Sequence, residues 1–372
     1  MSRLDLTFPL LLIFILVAAA CDVKTGPDQH FLEVGDNFQE ANDKFPEGTT
    51  FIVKSGVHTN QTVRHPKNGN SWIGEEGAVM DGRNRVSAAF SGEAKFITIN
   101  GIKIRNYKDN GIHLRDGGRI TLDNLTIKDT GSGTGNKNGA IKMNDMVGIH
   151  ITNSHFTQLS AGILITDSKG PIIIEQNSAI NIGRNFVQLD KCEGEQIRVQ
   201  YNTMERVGDY LREGAEDVVD WISIFQSKGT KQDSIQVNYN RARGHGNDPT
   251  GSFIMLGDDG GRYQVAKGNL GINPGQVGIG IAGGEWITVQ GNILFTEPWE
   301  HSNVGIYSAQ YSYPNPCHNH SILNNRLYWY NGRKQNNIWT DMICEPTILH
   351  NVYPDSEVRS ELWYSFDVSK EE

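Results

Sequence analysis

This sequence predicts an all-β fold, a right-handed parallel β-helix solenoid forming a single domain. Apolar pairs followed by asparagine recur along it, as in Ile120-Thr-Leu122-Asp-Asn124, Ile149-His-Ile151-Thr-Asn153, Ile197-Arg-Val199-Gln-Tyr-Asn202, Ile235-Gln-Val237-Asn-Tyr-Asn240 and Ile287-Thr-Val289-Gln-Gly-Asn292. With Asn100, Asn177, Asn269 and Asn325 these asparagines number nine, separated by 23 to 38 residues and by about 28 on average. That period suits one supersecondary unit per repeat. Short runs between them alternate, as in Gly111-Ile-His-Leu-Arg115, Ala140-Ile-Lys-Met-Asn144, Phe186-Val-Gln-Leu-Asp190 and Trp221-Ile-Ser-Ile-Phe225. Period two marks strands with one buried face. The 41 glycines against 37% hydrophobic residues suit many turns around a narrow core better than a helical bundle. The asparagines are expected at one corner of the coil, their amides stacked in a ladder, in a structural role.

Taken in order, the chain opens with Arg3, an apolar run over 8–20 and small residues before Cys21. Residues 1–20 read as a signal peptide, too short to span a bilayer comfortably. The stretch Leu16-Val17-Ala18-Ala19-Ala20-Cys21 resembles a bacterial lipoprotein signal, which implies lipid on Cys21 after cleavage. Ala18 stands where such signals most often carry leucine, and an ordinary secretory signal is the alternative. Asp22 resembles an inner-membrane retention mark. The implied location is a lipid anchor on the periplasmic side of a membrane or at the cell surface. Residues 21–49 form the anchor segment and an N-terminal cap, with a short helix over 37–45 over the exposed end. The β-helix covers 50–353, and 354–372 is a C-terminal tail.

A net charge of −9 argues against a nucleic-acid partner, which normally meets a basic face. A monomer is expected, touching a membrane only through the anchor. Beyond Cys21 stand Cys192, Cys317 and Cys344. Cys317 and Cys344 lie 27 residues apart, close to the mean repeat, which predicts neighbouring coils and a disulfide between them, leaving Cys192 free and buried. No metal-ligand spacing surrounds Cys192.

The repeats resemble the pectin-lyase-like superfamily of β-helices over about 50–353. That superfamily includes polysaccharide lyases, glycoside hydrolases, sugar epimerases and tail-spike proteins, so the resemblance implies a polysaccharide partner without choosing a reaction.

Stacked coils bring side chains from different repeats into rows about 4.8 Å apart, a spacing comparable to that of sugar rings. Placing Ile112, Ile141, Ile163, Val187 and Ile222 at equivalent buried positions puts His113, Lys142, Leu164, Gln188 and Ser223 in one outward row. Arg115, Asn144, Thr166, Asp190 and Phe225 form the next. His113, Arg115 and Lys142 then make a basic cluster suited to the carboxylates or sulfates of an anionic glycan, or else a solvated face. Gln188 and Asp190 extend the polar stripe as substrate-binding candidates.

A second constellation joins Glu216, Asp217 and Asp220 to Gly244-His245-Gly246-Asn247-Asp248 and Asp258-Asp259, beside the long loops 203–216 and 229–251. Its carboxylates suit three roles: a Ca²⁺ site at Asp217, Asp258 and Asp259, acid–base work on a glycoside, or turn capping. Asp258-Asp259 and Gly244-His245-Gly246 resemble pieces of the polygalacturonase signature in reversed chain order, so that family's assignment is not carried over. Third, the run Asn273-Pro-Gly-Gln-Val-Gly-Ile-Gly-Ile-Ala-Gly-Gly284 has bare outward positions at Gly280 and Ala282, continued by Gly305. A flat ligand could approach there, walled by Tyr307, Trp299 and Trp339; tight coil packing is the other reading. No phosphate-loop pattern surrounds these glycines.

The leading expectation is an enzyme acting on a uronate-containing glycan by β-elimination or C5 epimerisation. Both reactions remove the proton α to a carboxylate. Arg115 or Ca²⁺ neutralises that group, and Lys142, His113 or His245 serves as base; without Ca²⁺ no cofactor is required. Two alternatives stand: an inverting glycoside hydrolase using two of Asp190, Asp217, Asp220, Asp258 and Asp259, and a non-catalytic polysaccharide-binding or exopolysaccharide assembly protein.

Overall fold

The computed structural model describes residues 29–132, 138–208, 218–246, 249–332 and 334–367. Cys21, Glu216, Asp217, Asn247 and Asp248 fall outside these residues, so the anchor and one of the three expected Ca²⁺ ligands do too.

The alternating runs form the parallel solenoid that the repeat predicts, a coil with three faces. The first face stacks Ala88–Lys95, the opening half of Asn110–Asp123, that of Gly139–Thr152, and then Ile163–Thr166, Arg184–Asp190, Val218–Phe225, Ser252–Asp258, Val277–Ile281, Val304–Ser308 and Ile338–Thr340. The second face carries the closing halves of the two long strands and runs on to Thr347–Leu349. The third is a separate 11-stranded sheet from Gly56–Thr59 to Arg326–Tyr328. Each coil sends every second side chain inward, and Ile112, Ile141, Ile163, Val187, Ile222, Ile254, Ile279 and Ile306 stack along the axis, all buried.

The asparagine corner is shorter than the sequence suggested. Asn177, Asn202, Asn240, Asn269, Asn292, Asn325 and Asn351 form the ladder, each amide bonding the next at 2.9–3.1 Å. Ser154 holds the equivalent place below Asn177. Asn124 and Asn153 stand one position earlier, where the backbone turns left-handed, and Asn100 bonds Asp123 on the strand ends. The left-handed turn and the buried amide are therefore adjacent jobs: Tyr201 turns, and Asn202 bonds.

The helix expected near the N-terminus forms as Phe38–Lys44, started by the Asn37 side chain accepting from the amides of Gln39 and Glu40. Phe38 is buried beside Trp72, and Asn42 accepts from the Lys67 backbone. The ladder also begins before residue 50, because Gln29–Leu32 already pairs with Thr50–Val53. Cys317 and Cys344 are bonded, with their Cα atoms 4.7 Å apart, and Cys192 is free and buried. At the far end the tail folds back on the third face, where Trp363 lies between Arg241 and Arg243.

Candidate functional site

The register builds the first outward row from the residues the sequence assigned to it. His113 stands opposite Lys142, then follow Leu164, Gln188, Ser223, Met255, Gly280, Tyr307 and Trp339. The neighbouring row runs Arg115, Asn144, Thr166, Asp190, Phe225 and Asp258. The last step needs an extra residue. Ser223 pairs with Met255, yet Phe225 pairs with Asp258, because Gly257 inserts a bulge at φ 61°. Only a residue without Cβ fits there, since an added carbon would lie 2.1 Å from the Gly283 carbonyl. The bulge re-aims Asp258 outward.

Asp258, Met255, Tyr307, Tyr311 and Trp339 line a groove of about 580 Å³ on this face, together with Asn303, Asn331 and Asn336. Tyr307 is its floor rather than its wall. The ring lies over Gly280, where a Cβ would come within 2.7 Å of it, and its hydroxyl reaches the Met255 sulfur at 3.1 Å. The bare track expected at Gly280 is thus covered by an aromatic ring, and Gly305 faces inward, toward Leu327 and Trp329. Trp339 keeps 46% of its surface exposed at the groove, a free face for an apolar ring.

Asp220 stands at the start of the strand that carries Ser223, opposite Asn185 and Ser252. Its Oδ1 accepts from the Ser252 backbone amide at 2.9 Å and hydroxyl at 2.6 Å, while Asn185 accepts from its own amide and donates to Gln188. The carboxyl is crowded by protein although the residue retains some exposed surface. Burial pushes its pKa up to about 6, against the Ser252 bonds, and the Asp258 charge adds to the rise. Asp258 is raised by burial and by Asp259. Tyr307 is raised by burial, then by Tyr311, Asp220 and Asp258, so the two carboxyls and the phenol share one field. Asp190 is also raised, chiefly by burial, and its Oδ1 is enclosed without a hydrogen-bond partner. Asn185, Ser252, Met255 and Tyr311 escaped the sequence reading. Ser252 follows a long loop, and only the register reveals that it faces Asp220.

His113, Lys142 and Arg115 do come together, outside the groove and nearer the N-terminal end of the same face. His113 is lowered by burial, then by Lys142, against its hydrogen bond with Asn144, and by Arg115. His245 is elsewhere: it stacks on Trp299 at 3.7 Å between ring centroids, so those two residues hold each other and do not join Lys142.

The two consecutive aspartates part company. Asp258 faces the groove, whereas Asp259 lines a separate hollow, where Gln226 and Asn315 donate to its carboxylate. Calcium takes six to eight oxygen ligands, and among the described residues no three His, Cys, Asp or Glu side chains converge. Of the expected Ca²⁺ set, Asp258 and Asp259 line different hollows, and Asp217 lies outside the described residues.

No protein-family model matches the chain, and no curated protein matches it in sequence. Solved structures with a similar coil include the GH136 lacto-N-biosidase of Eubacterium ramulus, at 11% identity and a TM-score of 0.47 over 82% of this chain. This chain spans 62% of that enzyme's length. A periplasmic alginate epimerase is similar at 11% identity and a TM-score of 0.47, covering 87% of this chain and 85% of its own. The catalytic domain of a GH87 α-1,3-glucanase is similar at 12% identity and 0.48, covering 88% and 69%. What is alike is the parallel β-helix.

Proposed function

We propose that this protein is a glycan-active enzyme that cleaves glycosidic bonds by acid–base catalysis on the first face, with Asp258 of the groove as one carboxylate and Asp220, on the adjacent strand, as its partner and general acid. The observation that supports the reading is that both carboxyls hold their protons above the ordinary range, beside the aromatic floor of Tyr307. A general acid must keep a proton near working pH, and two carboxylates in unlike settings divide the roles of acid and base. Ser252 fixes one oxygen of Asp220, leaving the other to meet a leaving-group oxygen. Trp339 offers an exposed ring face to sugars, while the buried Tyr307 forms the floor beneath.

Elimination or epimerisation, the leading expectation from sequence, would use Arg115, Lys142 and His113. Asp220 stands one strand from the groove's Asp258, whereas those residues lie four or more strands away, and this favours the hydrolytic reading. A panel of neutral and acidic polysaccharides separates the cases. Hydrolysis releases reducing ends and leaves ultraviolet absorbance unchanged, and Asp220→Asn should lower kcat at least about 10²-fold. Activity should fall as pH rises above about 6, as Asp220 loses its proton. Unsaturated products, or full turnover by Asp220→Asn, would overturn the assignment. An unchanged chain length with an altered proton NMR spectrum would indicate epimerisation, and no change at all a binding protein.

The proposal includes export. A disulfide between Cys317 and Cys344 suits an oxidising compartment, and Cys21 is the proposed lipid anchor. Cys21→Ser should then move the protein from the membrane fraction to the soluble one, and identical fractionation would reject the anchor.

A further inference from the structure

The outward row continues beyond the groove, and what it meets there bears on substrate choice. Moving from Ser223 toward the N-terminus, the row steps through Gln188 and Leu164 to Lys142, then to His113. Three strand spacings, about 14 Å, separate Lys142 from the strand that carries Asp220. Sugar rings in an extended glycan repeat at a comparable spacing, so a chain lying along the row places its third or fourth unit from the cleaved bond over Lys142.

The chemistry waiting there is unevenly balanced. Arg115 is half-neutralised: its guanidinium lies 3.3 Å from Asp116, and Glu93 stands opposite it one coil back. Asp109 is taken up by the Ser87 hydroxyl at 2.6 Å. Lys142 makes no ion pair among the described residues, and its neighbour in the following coil is Leu164. Beside it His113 is held toward its neutral form by burial and by Lys142 itself. The ammonium of the half-buried Lys142, beside an imidazole that burial and Lys142 disfavour in its charged form, presents one positive charge and one hydrogen-bonding ring, which suits a single sugar-borne anion better than a polyanionic cluster.

We infer that His113 and Lys142 form a distal subsite for an acidic sugar, so that the glycan taken by the groove carries a carboxylate or sulfate about three units from the bond that is cut. The inference rests on the reading of Asp220 and Asp258 as the cleaving pair. It assigns the basic cluster to specificity.

The test is affinity electrophoresis in gels containing polygalacturonate, dextran sulfate or neutral dextran, run with the full chain. The protein should be retarded by at least one of the two polyanions beyond any retardation in dextran, despite its net charge of −9. Carboxylate and sulfate recognition are told apart by which gel acts. Lys142→Ala should weaken that retardation about fivefold, the scale of one partly exposed ion pair, with an unchanged melting temperature. Lys142→Gln, which keeps the stem, should weaken it equally. Lys103→Ala, on the third face, should leave it unaltered. Equal mobility in polyanion and dextran gels would overturn the subsite, as would equal losses in the Lys103 and Lys142 variants. The gels read binding alone, so an Asp220→Asn protein that is still retarded but also still turns over substrate would sink the catalytic reading and leave the subsite standing.

Discussion

Asp220 carries a conflict between stability and chemistry. Its folded pKa, about 6, lies above the value of an unfolded aspartate. Below about pH 4 both states hold the proton and the group contributes no difference. Between about 4 and 6 the folded protein keeps a proton that the unfolded chain releases, so stability declines as pH rises and stays lower above 6. Asn at this position keeps an oxygen for the two Ser252 donors and carries no charge. Asp220→Asn should therefore melt higher than the native protein at pH 8, by a margin that vanishes near pH 4, while losing turnover. A calorimetric pH series checks this; a variant less stable at pH 8 would mean that the carboxylate is held for structure. His320 has the opposite sign. Burial lowers its pKa to about 4, so the stability it contributes is present above its unfolded value near 6.5 and is lost as pH falls toward 4. At this scale the sequence disclosed the row of His113, Lys142, Gln188 and Ser223, because alternation along a strand fixes which side chains face out. It concealed Ser252 and the outward turn of Asp258, which depend on a loop and a one-residue bulge that alter register without altering composition.

Among elements, the asparagine corner does the most to lock one coil to the next. Asn240 takes the amide and side-chain donors of Asn202 at 3.1 and 2.9 Å and gives its own to the Val199 carbonyl and to Asn269 at 2.8 and 3.1 Å. Replacing it with alanine leaves several buried groups unsatisfied at once. Each costs roughly 1–3 kcal/mol, so Asn240→Ala should lose about 4 kcal/mol in denaturant unfolding. The side chain of Asn100, which belonged to the same sequence pattern, bonds among the described residues only Asp123, at the half-buried end of a strand; Asn100→Ala should cost less than about 1 kcal/mol. Equal losses would mean that the ladder adds nothing beyond local bonds. The sequence marked both positions alike because asparagine serves two purposes at such corners, turning the backbone left-handed and bonding across coils. A shift of one residue, as between Asn153 and Ser154, decides which purpose is met, and no periodicity of 23 to 38 residues resolves it.

For the whole molecule, the third face is finished by the C-terminal segment. Strands on that face alternate inward core residues with outward ones, and near its C-terminal end the outward Leu270, Ile272 and Phe295 are apolar where solvent-facing positions should be polar. They are covered. Val358 and Trp363 pack onto them, and the Trp363 ring lies 4.6 Å from the Arg241 guanidinium and 4.7 Å from that of Arg243. Arg241 further donates to the carbonyls of Trp363 and Phe366, both at 3.2 Å. The segment 354–372, which the sequence leaves as a tail, thus contains a strap over the coil. Ending the chain after Asp355 should preserve the Arg326 ion pair to that residue at 2.7 Å while uncovering the patch. Burying a large apolar side chain is worth about 1.5–3 kcal/mol, so losing Val358 and Trp363 together should cost about 4 kcal/mol. The shortened protein should bind a hydrophobic dye in its folded state and unfold at lower denaturant. The groove lies on the first face, so polysaccharide turnover per folded molecule should remain within about twofold of the full chain, a change of under 0.5 kcal/mol. A truncated protein with the original stability and no dye binding would show that the strap rests on the coil without holding it.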